Sequence, residues 1–163
     1  MIRYLGDFNT WETTPSGFLG GMPLAMLVGR GDQTLAEGVG LSPLPEQRVV
    51  LSGARDLDPG EKVLLRESAV RQLPDVAGLL DETPGEGPLY VHFDTDVLNP
   101  DDAPAMNYAA PGGPSADLMA QVFDYLAQSG RVAAVSVSTW NPELDTDGRS
   151  RQTVMALLPR LLG

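Results

Sequence analysis

Asp94 and Asp96 are the residues whose type and spacing point most directly to chemistry. They end an apolar stretch that predicts a β-strand, and residues two apart in a strand point to the same face. Two adjacent carboxylates repel each other unless a proton or a cation lies between them. The pair therefore indicates either a site that holds a proton or a cation or, more simply, a solvated loop where the strand ends.

Two further polar clusters follow predicted strands in the same way. One spans residues 55–61, whose acidic side chains either contribute to a site or stabilise the first turn of a helix. The other spans residues 7–10 and 14–17, which alone would be an ordinary polar turn. Ligands of open α/β sheets bind at the carboxyl edge of the strands. Three clusters at one edge therefore predict a binding site there.

The elements that would position these clusters are apolar strands alternating with helices. Strands are predicted at residues 48–54, 89–96 and 131–139, with a short one at 2–5. None alternates cleanly between apolar and polar residues, as expected for strands covered on both faces. Helices are predicted at residues 23–28, 61–71, 116–128 and about 149–162. Ser115 is the predicted cap of the third helix, and Gly130 follows its end. This order predicts an α/β domain with a mainly parallel sheet.

Composition narrows the class of protein. The 163 residues predict a single domain over residues 1–163. The net charge of −11 argues against a nucleic-acid partner, because phosphate contacts need clustered Lys and Arg. The sequence has no cysteine, which excludes thiolate catalysis and Cys-type zinc sites. It also has no signal-like or membrane-spanning apolar run, so we expect a cytoplasmic chain without a membrane partner.

Four segments, taken in order, resemble the arginase (ureohydrolase) family. The family patterns are D-A-H-x-D-x-N-T with S-G-N-x-H-G-M-P, G-x-R-D-x-D-P-G-E, F-D-x-D-x-x-D-P with A-P and P-G-G, and E-x-N-P-x-x-D. The first two matching segments are G-D-F-N-T at 6–10, with P-S-G at 15–17 and G-M-P-L-A at 21–25, and then G-A-R-D-L-D-P-G-E at 53–61. The third is F-D-T-D-V-L-N-P at 93–100, with A-P at 103–104 and P-G-G at 111–113. The fourth is N-P-E-L-D at 141–145. The resemblance implies a three-layer αβα fold with a mainly parallel sheet, of which this chain forms the C-terminal portion.

The resemblance also implies metal-dependent hydrolysis of a guanidino or amidino C–N bond. In the family, a hydroxide that bridges two Mn²⁺ ions attacks the guanidinium carbon. The positions that correspond to metal ligands are Asp7, Asp94 and Asp96. Asn9 and Ser16 correspond to contacts with the substrate α-carboxylate, and Asp58 and Glu61 to the side that receives its α-ammonium. These four residues favour the arginase branch, with an amino acid or a guanidino compound as the small-molecule partner.

Four positions depart from the family pattern where its chemistry is concentrated. The bridging Asp is Arg3, one His ligand is Leu5, the catalytic His is Gly20, and the Glu that pairs with the guanidinium is Thr139. The sequence also has no counterpart of the upstream G-G-D-H ligand, which predicts a shortened form of the fold. Carboxylates without imidazole form an oxygen-only site that would hold one Mg²⁺, Ca²⁺ or Mn²⁺ weakly.

Two side chains near the carboxylates leave alternatives open. Arg3 would replace a cation if it pairs with Asp94 or Asp96. His92 falls on the same face of the predicted strand, either as a hydrogen-bonded neutral histidine or as a substitute ligand.

Three functional interpretations follow. The chain is a shortened hydrolase, a non-catalytic relative that binds an amino acid, a metal ion or a partner subunit, or a fragment whose true start lies upstream. The lost His and Glu favour the second and third, and we expect weak or no arginase activity.

The strand at residues 131–139 is expected to lie at the edge of the sheet, beside the part of the family fold that is missing. An apolar edge without charge or proline after Arg131 predicts a homo-oligomer or a complex with a partner subunit.

Overall fold

Parallel strands form the centre of the molecule. A computed structural model describes residues 1–3, 5–82 and 85–162. In it, β1 (Val50–Ser52) pairs with β2 (Arg71–Leu73), and β3 (Leu89–Asp94) pairs with β4 (Val132–Ser138). Ile2 joins the two pairs through parallel bridges to Ser52 and Phe93. The resulting order, β2–β1–Ile2–β3–β4, confirms the predicted parallel sheet.

The helices follow the strands as an α/β fold requires. The α-helices of the described ranges are α1 (Pro23–Leu27), α2 (Thr34–Gly38), α3 (Pro59–Arg66), α4 (Ala116–Gln128) and α5 (Arg149–Leu162). Short 3₁₀ turns cover Leu19–Gly21, Glu46–Arg48, Val76–Asp81 and Thr95–Val97. The bounds predicted for α4 and α5 are confirmed. The Ser115 hydroxyl accepts a hydrogen bond from the Leu118 N–H at 3.2 Å, as expected for the cap of α4.

Three predicted elements differ from the observed ones by three or more residues, and the remaining predicted bounds agree to within two residues. The strand predicted at 48–54 covers three residues, because 46–48 form a 3₁₀ turn and Gly53 turns the chain with φ 83°. The helix predicted at 61–71 ends at Arg66, and residues 71–73 form the unpredicted β2. The Ser68 hydroxyl causes this change, because it donates to the Leu65 carbonyl and accepts from the Val70 N–H. The strand predicted at 2–5 is reduced to the bridge at Ile2, and Tyr4 lies outside the described residues.

Two buried clusters place helices on both faces of the sheet. The larger one packs Ile2 and the apolar side chains of β3 against α4, α5 and the 76–81 turn. Within it, the Phe93 and Phe123 rings meet edge to face with centroids 5.1 Å apart. The smaller cluster packs Leu51 of β1 against α1 and α3 on the opposite face. Three layers therefore exist over β1, which fits the predicted αβα arrangement.

The second face of the β3–β4 pair remains open. Tyr90 points to this side from β3 and is 58% exposed, and His92 follows it at the next position on the same face. This bare half of the sheet becomes the floor of the cleft described below. None of the helices in the described ranges has both the length and the apolar composition needed to cross a lipid bilayer.

Candidate active-site cleft

The carboxyl edge of the central strands opens into a cleft of about 1050 Å³. All three predicted polar clusters reach it, as expected for turns that follow parallel strands. The polar residues that line it include Arg3, Asp7, Asp56, Asp94, Asp96 and Thr139. The prediction that these clusters meet at one edge of the sheet is therefore confirmed, although Asp96 lies in the 3₁₀ turn after β3 and not on the strand itself.

Arg3 lies at the centre of this group and connects two of the carboxylates. Its Nη1 forms an ion pair with Asp7 Oδ2, and its Nη2 lies 3.0 Å from Asp94 Oδ2. Arg3 is 6% exposed, Asp7 2% and Asp94 1%. Burial lowers the pKa of the Arg3 guanidinium, against the opposing effect of Asp94 and Asp96. An arginine remains charged under these conditions, so the guanidinium neutralises carboxylates that would otherwise repel each other.

Asp94 has further partners on the neighbouring strand. The Ser138 hydroxyl donates to Asp94 Oδ1 at 2.6 Å, and His92 Nε2 lies 3.9 Å from Oδ2. Burial alone would raise the pKa of Asp94, but His92, the charge of Arg3 and the Ser138 hydroxyl together hold it below its ordinary value. Asp94 is therefore held as a carboxylate.

His92 hydrogen-bonds to serines of β4. Its Nδ1 lies 2.6 Å from Ser136 Oγ and its Nε2 lies 3.3 Å from Ser138 Oγ. This arrangement matches the hydrogen-bonded alternative considered for a strand histidine. Ser138 itself was missed by the sequence analysis, although it pairs with Asp94 in the β3–β4 register, and strand periodicity would have placed it beside that carboxylate.

Two residues that line the cleft have a left-handed backbone. In the described ranges, the non-glycine residues with positive φ are Asp7 at 53° and Thr139 at 66°. This conformation is rare for a β-branched residue, and such residues cluster at functional sites. The turn at Thr139 aims its hydroxyl at the neighbouring loop, where it accepts from the Asp96 N–H at 3.2 Å.

The residues predicted to bind the α-ammonium have structural contacts at the start of α3. Glu61 is 3% exposed and accepts from the Phe8 N–H at 2.8 Å and from the Asp58 N–H at 3.2 Å. The second bond is half of a capping box at the N-terminus of the helix. Burial raises the pKa of Glu61, against the effect of these two N–H donors. The helix-stabilising alternative for this acidic cluster is therefore realised, and its ligand-binding role stays a prediction.

The residues predicted to contact the α-carboxylate differ in their surroundings. Asn9 is buried and its amide donates to Asp58 Oδ2 at 2.9 Å, which ties the turn after Asp7 to α3. Ser16 is exposed and lines the cleft. Of the four residues predicted to contact substrate, Ser16 is the one that lines the cleft.

The carboxylates of the cleft do not fit the metal centre that the resemblance implies. No group of three or more His, Asp or Glu side chains in the described part of the chain is arranged to hold a metal ion. Hard divalent cations need about six oxygen ligands, whereas Asp7 and Asp94 each turn one oxygen towards Arg3. The assignment of Asp7, Asp94 and Asp96 as metal ligands stays a prediction, and the observed arrangement does not favour it.

The fold and the cleft together define an arginase-like α/β protein, and the comparisons with known proteins are specific. The sequence model of the Arginase family matches residues 6–163, so the chain belongs to the arginase family. It is 36% identical over 156 residues to an N(omega)-hydroxy-L-arginine amidinohydrolase of Streptomyces lavendulae, covering 94% of this chain and 54% of that protein. It is 32% identical over 170 residues to an arginase of Bacillus subtilis, covering 97% of this chain and 57% of that protein.

The solved structures agree with the sequence relatives. A crystal structure of arginase from Bacillus subtilis superimposes with a TM-score of 0.90 at 31% identity, covering 99% of this chain and 60% of the other. The native arginase structure from Bacillus caldovelox gives a TM-score of 0.90 at 31% identity, covering 99% of this chain and 59% of the other. The partial arginase fold predicted from the sequence is confirmed. The chain spans little more than half the length of the relatives it matches.

Proposed function

We propose that this chain binds a small cationic guanidino or amino compound in the cleft and does not hydrolyse it. One observation carries the proposal. Leu5, Gly20 and Thr139, which take the places of a His ligand, the catalytic His and the guanidinium-binding Glu, all line the cleft, and none carries a titratable side chain. The cleft therefore lies where the family motifs meet, but it lacks the side chains that would transfer protons or bind the guanidinium group.

The charge of the cleft supports a cationic ligand. Asp7, Asp56, Asp94 and Asp96 line it, and Arg3 compensates part of that negative charge. Asp7 Oδ1 is buried and makes no hydrogen bond to another described residue, so this carboxylate would attract a ligand cation through its charge and not through a direct hydrogen bond.

Calorimetry with L-arginine, ornithine and agmatine tests the binding proposal directly. We expect heat of binding for the wild type and a roughly 10-fold or greater loss in affinity for Asp96→Asn, because a hydrogen bond to a charged group contributes about 1.5–3 kcal/mol. Asp117→Asn is the matched control, because Asp117 is exposed on α4 and does not line the cleft. No heat with any of the three compounds, or equal affinity for the two variants, would contradict the proposal.

Hydrolysis is the second candidate function, and sequence identity favours it. The relative from Streptomyces lavendulae is called an amidinohydrolase and is 36% identical over 94% of this chain. Release of urea from arginine by the purified chain with added Mn²⁺, at a rate typical of enzymes, would establish this alternative and exclude the non-hydrolysing one.

We further propose that β4 mediates assembly with a second copy of the chain. Among the described residues, β4 pairs only with β3, so its outer N–H and C=O groups form an open edge. Val132–Ser138 contains no charge and no proline, the usual protections of an edge strand. Antiparallel pairing about Val135 would place Ala133 opposite Val137, which opposes small apolar residues and no like charges. Light scattering of the purified chain tests this assembly, and a monomer would leave pairing with a different partner chain as the alternative.

A further inference from the structure

We propose that Arg3 is the resident cation of the cleft, and that its guanidinium excludes a divalent metal ion from the Asp7 and Asp94 carboxylates. This inference concerns ion occupancy, and it holds whether or not the cleft binds the ligand class proposed above.

Backbone hydrogen bonds hold Arg3 at the centre of the sheet. The Ile2 N–H donates to the His92 carbonyl and the Asp94 N–H donates to the Ile2 carbonyl, both at 2.9 Å. The Arg3 N–H then donates to the Ser52 carbonyl at 3.1 Å. Arg3 is thus anchored between β1 and β3, at the edge where Asp94 ends its strand. Its side chain reaches the two carboxylates from a fixed position.

The guanidinium bridges the two carboxylates as a metal ion would. Nη1 pairs with Asp7 Oδ2, and Nη2 lies 3.0 Å from Asp94 Oδ2. Its planar fork of donors suits carboxylate oxygens better than the point charge of a lysine does. An ion that bound the same two oxygens would have to displace a charge that is itself buried, and the buried guanidinium would then have no partner. Occupancy by Arg3 and by a metal ion are therefore mutually exclusive.

Removing the guanidinium makes the carboxylates available. Asp7 and Asp94 would then lie close together as two buried negative charges, because removing one partner of a buried ion pair leaves the other charge unpaired. We expect Arg3→Gln to lower the melting temperature by roughly 6–20 °C. A divalent cation would then reverse part of this loss, because it supplies the missing positive charge. Arg3→Asp adds a third carboxylate and should bind the cation more tightly than Arg3→Gln does.

The experiment compares thermal unfolding with and without millimolar Mn²⁺ for wild type, Arg3→Gln, Arg3→Asp and Arg30→Gln. Arg30 is the matched control, because it forms an ion pair with Glu46 at 2.5 Å and does not line the cleft. We expect Mn²⁺ to leave wild type and Arg30→Gln unchanged. It should raise the melting temperature of both Arg3 variants, by roughly 5–10 °C at an ion concentration a hundred times the Kd.

Bound Mn²⁺ is counted independently by the loss of the free-ion signal in electron paramagnetic resonance. We expect no bound ion in wild type, a bound ion in Arg3→Asp, and loss of that ion when Asp94→Asn is added to Arg3→Asp. A variant that folds only when Mn²⁺ is present also supports the proposal. It would be overturned by Mn²⁺ binding to wild type that Asp94→Asn abolishes, by Arg3 variants that neither bind nor respond to Mn²⁺, or by Arg3 variants that stay unfolded with it.

Discussion

Replacing Glu61 separates the structural role of this buried carboxylate from the ligand-binding role implied by the family resemblance. Its two oxygens accept hydrogen bonds from the Phe8 and Asp58 N–H groups, which join the turn after Asp7 to the first turn of α3. Alanine removes both acceptors and leaves these N–H groups without them. A hydrogen bond to a charged group contributes about 1.5–3 kcal/mol to the free energy of unfolding. The variant also no longer buries a carboxylate, and this gain offsets part of the loss.

We therefore expect Glu61→Ala to lower the free energy of unfolding by about 2–4 kcal/mol, and the melting temperature by roughly 4–16 °C. Circular dichroism during urea and thermal unfolding at pH 7 measures both quantities. Glu67→Ala is the matched control, because Glu67 lies at the other end of the same helix and is exposed. Equal effects of the two alanine variants would refute the reasoning.

The pH dependence gives a second, independent check on Glu61. Burial raises the pKa of Glu61 in the folded chain above its ordinary value of 4.5. Folding therefore favours the protonated form, whose contribution is fully present below about pH 4.5 and is lost as the pH rises through the folded-state pKa. Glu61→Gln cannot ionise, so the stability advantage of wild type over this variant should narrow as the pH rises from 4.5 towards neutrality. An advantage that widens over this range would show that the folded chain favours the ionised carboxylate.

The remaining predictions concern the helix start, the core and the edge strand. Ser115→Ala should lower the free energy of unfolding by about 1 kcal/mol, measured by urea unfolding, because the Leu118 N–H loses its acceptor. Phe123→Ala should cost about 3–5 kcal/mol in the same assay, because it empties a fully buried position against Phe93. Ala134→Lys, which places a charge on the exposed edge strand, should convert a dimer to a monomer in light scattering; a wild type that is itself monomeric would contradict the pairing of two copies through β4.

Local patterns were sufficient where a single segment carries its own signals. The apolar stripe of α4, its Ser115 cap and Gly130 lie within one stretch of sequence, so both helix ends could be predicted. The end of α3 could not, because it depends on hydrogen bonds of Ser68 that compete with helix continuation. β2 is a short strand of mostly exposed residues with no apolar run, and it exists because β1 lies beside it.

The sequence by itself determined the family, the parallel sheet and the edge at which the acidic clusters meet. These follow from motif spacing and from the rule that turns after parallel strands share one edge. Only the tertiary structure decided what neutralises the carboxylates. Arg3 and Asp94 are far apart in sequence, and their ion pair exists because Ile2 is hydrogen-bonded between β1 and β3. The same long-range pairing set Ser138 beside Asp94, an arrangement that depends on the β3–β4 register.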